Sequence, residues 1–166
     1  MQDIKQTLLL LLISVGAMLM ACTSCNKDNN NQREASVTAL VDGVAWQASP
    51  NGPHSPVAAV AIRNTALNII IQAYASDGSY ISLNVITTSA IVENVDYTEQ
   101  LAAFQGQFKP SFLENDSYST VLPGASGTLR FTNISASNVS GTFSFNGVKQ
   151  GGGSVIVHNG SFDVDL

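Results

Sequence analysis

The sequence predicts one all-β domain, an antiparallel β-sandwich or open β-barrel of about eight to ten short strands. Two observations predict this class. From residue 36 onward, serine, threonine, asparagine, glycine and β-branched residues dominate, and Glu, Lys and Leu at helical spacing are almost absent. Several short segments also alternate apolar and polar residues, which is typical of strands with one buried face. Periodicity alone does not choose between sandwich and barrel.

The chain begins with the layout of a secretion signal. After the polar start MQDIKQ, residues 7–20 read TLLLLLISVGAMLM without a charge. This run is shorter than the roughly 20 apolar residues that a membrane-spanning helix needs. Its end, Leu19-Met20-Ala21-Cys22, resembles the bacterial lipobox, which implies cleavage before Cys22 and lipidation of its thiol. We therefore expect a signal peptide over residues 1–21.

Cys25 is the second choice for the lipidated residue. The polar sequence after it, NKDNN, is typical of lipoprotein tethers, but the residues before it fit a lipobox less well. The C-x-x-C spacing of Cys22 and Cys25 also allows a disulfide or a metal pair. We disfavour that reading because the chain has no other cysteine and no strand–helix–strand pattern surrounds the pair.

The rest of the chain divides into a tether and a domain. Residues 22–35 are polar and asparagine-rich, so they cannot bury enough apolar area to offset the entropy of ordering. Residues 36–166 have the length of a single domain. This region holds four basic and nine acidic residues, with the basic ones scattered. A nucleic-acid partner is disfavoured, because it would require clustered Lys and Arg.

The first half of the domain predicts a hairpin and a meander. Residues 37–41 and 44–48 flank Asp42-Gly43, a dipeptide suited to a type I′ turn. This hairpin places Trp46 opposite Ala39, a large residue against a small one, which predicts an interior position for Trp46. Three apolar segments then predict consecutive antiparallel strands, at residues 57–62, 67–74 and 80–87.

Residues 88–123 are the least regular part. Asp96-Tyr97-Thr98-Glu99 offers a helix start before LAAFQ. Strand alternation returns at residues 127–134 and 138–147, where Thr142, Ser144 and Asn146 share the polar face.

In the last segment, residues 154–166, the apolar residues switch from one face of the strand to the other. Val155 and Val157 occupy odd-numbered positions, whereas Phe162 and Val164 occupy even-numbered positions. Asn159-Gly160 could shift the register as a β-bulge in one long strand, or as a tight turn pairing Val157 with Phe162. We favour the bulge, because the preceding strand is long enough to pair with the whole segment.

Several stretches resemble a domain-of-unknown-function family of Bacteroidota envelope lipoproteins. They are VTALVDGVAWQAS, LNIIIQAYASDGSYISLNV, VSGTFSFNG and VIVHNGSFDV. The resemblance implies an all-β secreted domain, lipid-anchored to the outer membrane on its periplasmic or its surface-exposed face. It supplies no catalytic residues. Where family members often have a Gly-Thr-Tyr turn, this chain has Val95-Asp96-Tyr97.

The sequence predicts no metal site and no cofactor. His54 and His158 are the only histidines, and neither has a second ligand at metal spacing. Residues 124–127, GASG, do not match a nucleophile elbow. Residues 151–153, GGG, lack the Lys and Ser/Thr of a phosphate loop and instead predict a hairpin connection.

Two groups of acidic residues could serve catalysis or calcium binding, but the sequence does not favour either role. Asp163 and Asp165 lie on one face of a strand, where paired acids could serve glycoside hydrolysis, although a solvated face is favoured. Glu114, Asn115 and Asp116 could donate oxygens to calcium, but they lack the alternate spacing and the glycine of an EF-hand loop.

Three function hypotheses follow. The first is a non-enzymatic, membrane-anchored module that binds a glycan or an envelope protein, with Tyr80, Tyr97 and Tyr118 as candidate stacking residues beside loops. The second is a glycan- or peptide-processing enzyme whose acids come from Asp163, Asp165, Glu114 and Asp116. The third is a structural or assembly role.

Overall fold

The computed structural model describes residues 34–53, 55–99, 103–111 and 116–166. In these ranges eleven strands form one antiparallel sheet. They are β1 (Ser36–Val41), β2 (Val44–Gln47), β3 (Ala59–Thr65), β4 (Asn68–Tyr74), β5 (Tyr80–Ile86), β6 (Asp96–Thr98), β7 (Phe104–Lys109), β8 (Tyr118–Ser119), β9 (Ser126–Ile134), β10 (Asn138–Val148) and β11 (Ser154–Asp165). The predicted all-β class is confirmed, and the sheet curls into a half-barrel. The lipidation candidates Cys22 and Cys25, and also His54, Glu114 and Asn115, lie outside the described residues.

The β1–β2 hairpin has the predicted register. Asp42 and Gly43 have φ values of 49° and 81°, as a type I′ turn requires. Ala39 pairs with Trp46, and the Trp46 side chain is buried, with 8% of its surface exposed. The other edge of β1 pairs with β11, so the hairpin lies beside the C-terminal strand.

The predicted meander is β3–β4–β5, followed in the sheet by β7. β3 continues to Thr65, beyond the predicted boundary at residue 62. The ladder with β4 becomes irregular between Arg63 and Thr65, and the turn falls at residues 66–67. The local irregularity lets the strand run through residues that the sequence assigned to a turn.

The helix start predicted at Asp96 is wrong, and residues 100–102 of the predicted helical stretch lie outside the described residues. Asp96–Thr98 form β6, which pairs with β9 through Asp96 with Arg130 and Thr98 with Thr128. Phe104, at the end of the predicted helical stretch, begins β7. Pairing with a strand some thirty residues away, together with burial of the Tyr97 side chain, overrides the local capping signal.

Residues 154–165 form one strand with a bulge, as predicted. Phe143 pairs with Gly160 and Phe145 with Val157, so β11 carries one residue more than β10 between these pairs. Asn159, within the bulge, has a φ of 51°. The alternative tight turn is therefore wrong. The glycines at 151–153 all have positive φ and connect β10 to β11, which confirms the predicted hairpin connection.

β10 is the point at which the sheet branches. Residues 138–146 of β10 pair with β9, which in turn pairs with β6. Val148 pairs instead with Ser119 of β8, which leads to β7, β5, β4 and β3. The first branch forms one wall of the site described below.

The inner face of the curled sheet holds the hydrophobic core. Each fully buried aliphatic or aromatic side chain contributes about 1.5–3 kcal/mol relative to exposure. The largest are Phe104, Phe131, Ile71, Ile81, Leu83 and Leu129. The ring of Phe131 packs edge-on against Tyr97 and Phe162. None of the described residues belongs to a helix long and apolar enough to cross a membrane.

Candidate functional site

The outer face of β6, β9, β10 and β11 carries rows of polar side chains. Side chains alternate across a strand, so the neighbours of the core residues point outward. The strand registers align these outward residues across the sheet. One row runs Thr98, Thr128, Ser144, and the next runs Asp96, Arg130, Thr142, Ser161.

The bulge in β11 completes this surface. Ser144 lies opposite the extra residue, between the pairs Phe143 with Gly160 and Phe145 with Val157. A bulge re-aims the side chains beside it. His158, next to Asn159, is half-buried and lines the surface beside Ser144.

Two adjoining depressions form the outer-face groove, with volumes of about 520 and 460 Å³. They share Thr128, Ser144 and His158, so the groove is continuous. Its polar side chains are Asp96, Thr98, Glu99, Ser126, Thr128, Arg130, Thr142, Ser144, Asn146, His158, Asn159 and Ser161.

Most side chains of the groove do not hydrogen-bond to the protein. In the described part of the chain, the side chains of Thr98, Thr128, Thr142, Ser144 and His158 have no protein partner. The Oδ1 atom of Asn146 is shielded from solvent and also has no partner. Polar groups this enclosed are usually paired with protein or ordered water. The groove therefore keeps its hydrogen-bonding capacity available.

Some polar side chains elsewhere on the outer face are paired with one another. The amide of Asn64 donates to Asn68 at 2.7 Å, and that of Asn68 donates to Asn84 at 2.8 Å, forming a ladder across β3, β4 and β5. Outside the groove, the hydroxyls of Thr132 and Ser140 lie 3.2 Å apart. The groove is the place where unpaired hydroxyls lie together on neighbouring strands.

An ion pair lies at one end of the groove. The Arg130 Nε donates to the Asp96 Oδ1 at 2.6 Å, and both side chains are about half exposed, at 46% and 51%. The hydrogen bond from Arg130 holds the pKa of Asp96 below its usual value. The same bond raises the pKa of Arg130. Both groups are therefore charged at neutral pH.

Acidic side chains fix the β6 wall of the groove onto β9. Besides Asp96, the Glu99 Oε2 accepts a hydrogen bond from the Gly127 amide at 2.8 Å. The Glu93 Oε1 accepts one from the Ile134 amide at 2.6 Å. Acidic residues at 93, 96 and 99, spaced by three, are a sequence signal for this attachment that our sequence analysis missed.

The three predicted tyrosines lie on three different strands, outside the groove. Tyr97 is buried at 7% exposure, and its hydroxyl bonds to the Val92 amide and carbonyl at 2.8 and 3.0 Å. Tyr80, also buried, packs beside Tyr74 with ring centroids 5.0 Å apart. No ring contact joins any two of the three in the described residues. Their role in stacking on a sugar stays a prediction.

Tyr118 is the most open of the three. It is half-buried, packs 6.4 Å from the Phe108 ring centroid, and has the Lys149 ammonium 5.6 Å from its own centroid. Lys149 also donates to the Asp116 Oδ2 at 2.9 Å. Asp116 is thus part of an ion pair.

Asp163 and Asp165 share the outer face of β11, as predicted. The Asn138 amide donates to both carboxylates, at 2.8 and 3.4 Å, and so bridges them. Within the described ranges, no three His, Cys, Asp or Glu side chains form a group that could hold a metal ion.

The comparisons with known proteins identify a family of unknown function. No curated protein and no solved structure matches the chain. A family described as a domain of unknown function, DUF6252, matches residues 33–164. This match spans most of the chain and all eleven strands except the last residue of β11, Asp165. The chain therefore belongs to the DUF6252 family.

Proposed function

We propose that this chain is a lipid-anchored protein of the cell envelope whose β-domain is a non-catalytic binding module for a glycan. The observation that carries the proposal is the outer-face groove, in which neighbouring Ser, Thr, Asn and His side chains have no protein partner in the described residues. The anchor follows from the lipobox-like sequence before Cys22 and from the polar tether after it.

The groove matches the chemistry of a glycan. Each sugar hydroxyl is both a donor and an acceptor, and so are the hydroxyls of Thr128, Thr142 and Ser144. An amide such as that of Asn146 also offers both roles, and the ring nitrogens of His158 can form hydrogen bonds as well. A ligand that replaces water at these groups gains hydrogen bonds without breaking bonds within the protein.

The position of His158 beside the groove hydroxyls does not favour catalysis. A serine nucleophile needs a base within hydrogen-bonding distance, in the range of about 2.6–3.2 Å. In the described part of the chain, His158 makes no hydrogen bond to Ser144 or to a carboxylate. A binding role requires no such pair.

The test is a glycan panel applied to the full chain in detergent micelles, read by calorimetry and thermal shift. Thr128→Val and Ser144→Ala remove groove hydroxyls with little change in volume, and each should weaken a specific interaction about tenfold, as loss of a hydrogen bond of roughly 1.4 kcal/mol implies. Ser82→Ala, on the outer face of β5, is the matched control and should bind as the wild type does.

Either of two results would overturn the proposal. One is the absence of binding across the panel. The other is turnover of a glycan or peptide that a single groove substitution abolishes.

A further inference from the structure

The outer-face groove has two lobes that meet at Ser144 and His158. The first lobe reaches the Asp96–Arg130 pair and Thr142, and the second reaches Asn146. Along β10, the four residue-to-residue steps from Thr142 to Asn146 span roughly 13 Å. One six-membered sugar ring is shorter than this segment of β10, whereas a chain of rings can lie along it.

The Asp96–Arg130 pair presents a hydrogen-bond acceptor beside hydrogen-bond donors. Its bond uses the Arg130 Nε and the Asp96 Oδ1. The terminal N–H groups of Arg130 and the Asp96 Oδ2 have no partner among the described residues. A guanidinium has five N–H donors in a planar fork, so several remain for a ligand.

This arrangement fits two hydroxyls on adjacent ring carbons. One hydroxyl donates to the Asp96 carboxylate while its neighbour accepts from the Arg130 guanidinium. Hydrogen bonds to charged groups are stronger than those between neutral groups. The ion pair favours an orientation of both side chains that the ligand can use, which lowers the entropy lost on binding.

The charge of the groove favours an uncharged ligand. The carboxylates of Asp96 and Glu99 line it, against the one guanidinium of Arg130. The whole chain has a formal net charge of −5. A uronic acid would add negative charge to a site that already has an excess of it.

We propose that the groove binds a linear, uncharged oligosaccharide along β10, with the Asp96–Arg130 pair holding two adjacent hydroxyls of one ring. This inference rests on the proposed glycan-binding function. It adds the class of glycan, its direction along the sheet and the residues that select it.

The experiment titrates the full chain in detergent micelles with uncharged hexose oligosaccharides of one to six rings, and with uronic-acid oligosaccharides of the same lengths. The affinity for the uncharged series should rise about tenfold or more from one ring to four. The uronic acids should bind at least tenfold more weakly. Asp96→Asn and Arg130→Gln should each lower the affinity for the uncharged series about tenfold.

Asp116→Asn is the matched control. Asp116 is likewise an exposed carboxylate paired with a cation, Lys149, but it lies outside the groove, so its variant should keep the wild-type affinity. Far-UV circular dichroism of each variant checks the fold. If Asp96→Asn does not fold, Asp96→Glu and Arg130→Lys keep the charges, displace the bonding atoms and should also weaken binding.

The outcomes separate this inference from the proposed function. If no glycan of either series or of the wider panel binds, the proposed function fails and this inference with it. If glycans bind but the uronic acids bind as tightly, or the Asp96 and Arg130 variants bind as the wild type does, this inference alone is overturned.

Discussion

Phe143 of β10 and Gly160 of β11 are paired across the sheet, and the Phe143 ring lies over the glycine. A methyl group built on the Gly160 Cα would come within 2.6 Å of the Phe143 Cζ. The relationship is reciprocal: Phe162 pairs with Gly141, where a methyl group would lie 2.6 Å from the Phe162 Cζ. Each aromatic ring thus covers a glycine on the neighbouring strand.

Substitution of either glycine by alanine should destabilise the protein, and the two effects should differ in size. At Gly160 the added methyl meets a side chain, so Gly160→Ala should lower the free energy of unfolding by about 1–3 kcal/mol through overpacking. At Gly141 it also clashes with the carbonyl oxygen of Arg130, which belongs to the backbone and cannot rotate away. Gly141→Ala should therefore cost more. Urea unfolding would measure both, and equal stability of Gly141→Ala and wild type would contradict this register.

Gly43 should be sensitive for a different reason. Its φ is +81°, and no atom lies within 4 Å of a methyl group built there. Gly43→Ala should cost about 1 kcal/mol through backbone strain alone. Gly43→Asn should cost less, because asparagine adopts positive φ more readily. A thermal unfolding series tests the order, which fails if Asn is as costly as Ala.

Much of the fold could be predicted because its signals are local. Asp42-Gly43 marks a turn in which both residues need positive φ, and this sets the pairing of Trp46 with Ala39. The change of parity around Asn159 indicates a bulge without reference to any other part of the chain. Hairpins and bulges are therefore visible in short windows of sequence.

The site was less predictable because it depends on distant pairings. Thr98 and Thr128 become neighbours only because β6 pairs with β9, and the local capping pattern at Asp96 indicated a helix instead. Burial of Tyr97 likewise follows from that pairing. The polar face of Thr142 and Ser144 was visible in the alternation, but the wall that makes it a groove was not.

Trp46 and Ser79 should be energetically coupled. The Trp46 indole donates to the Ser79 Oγ at 2.7 Å, and that hydroxyl donates to the Asp77 Oδ1 at 2.6 Å. Both partners of the first bond are buried. Ser79→Ala leaves the indole N–H unpaired and should cost about 1–3 kcal/mol. In a Trp46→Phe background the same substitution should cost less, so a double-mutant cycle by circular dichroism should show coupling. Additive effects would argue against the bond.

The lipobox-like sequence predicts which cysteine is lipidated. Cys22→Ser should abolish incorporation of labelled fatty acid in cells and release the protein from the membrane fraction, because no thiol remains at the cleavage position. Cys25→Ser should leave both properties unchanged and serves as the matched control. The reverse result would identify Cys25 as the anchor and shift the signal peptide boundary by three residues.

The Asp96–Arg130 pair should make a pH-dependent contribution to stability. The bond from Arg130 holds the folded-state pKa of Asp96 below its usual value, whereas an unfolded aspartate has a pKa of about 3.9. The contribution is therefore present above pH ~3.9 and is lost as the pH falls through the lower, folded-state value. The difference in unfolding free energy between the wild type and Asp96→Asn should follow this course. In an Arg130→Gln background, Asp96→Asn should no longer produce this pH-dependent difference.

Salt provides the independent check on that pair. Both side chains are about half exposed, so their attraction is small and screened. At about 1 M salt, where the screening length is about 3 Å, the neutral-pH difference between wild type and Asp96→Asn should shrink. Unfolding midpoints at pH 7 in low and high salt, and again in acid, give the comparison. A difference that grows as the pH falls would mean that Asp96 is stabilised in its protonated form, contrary to the bond with Arg130.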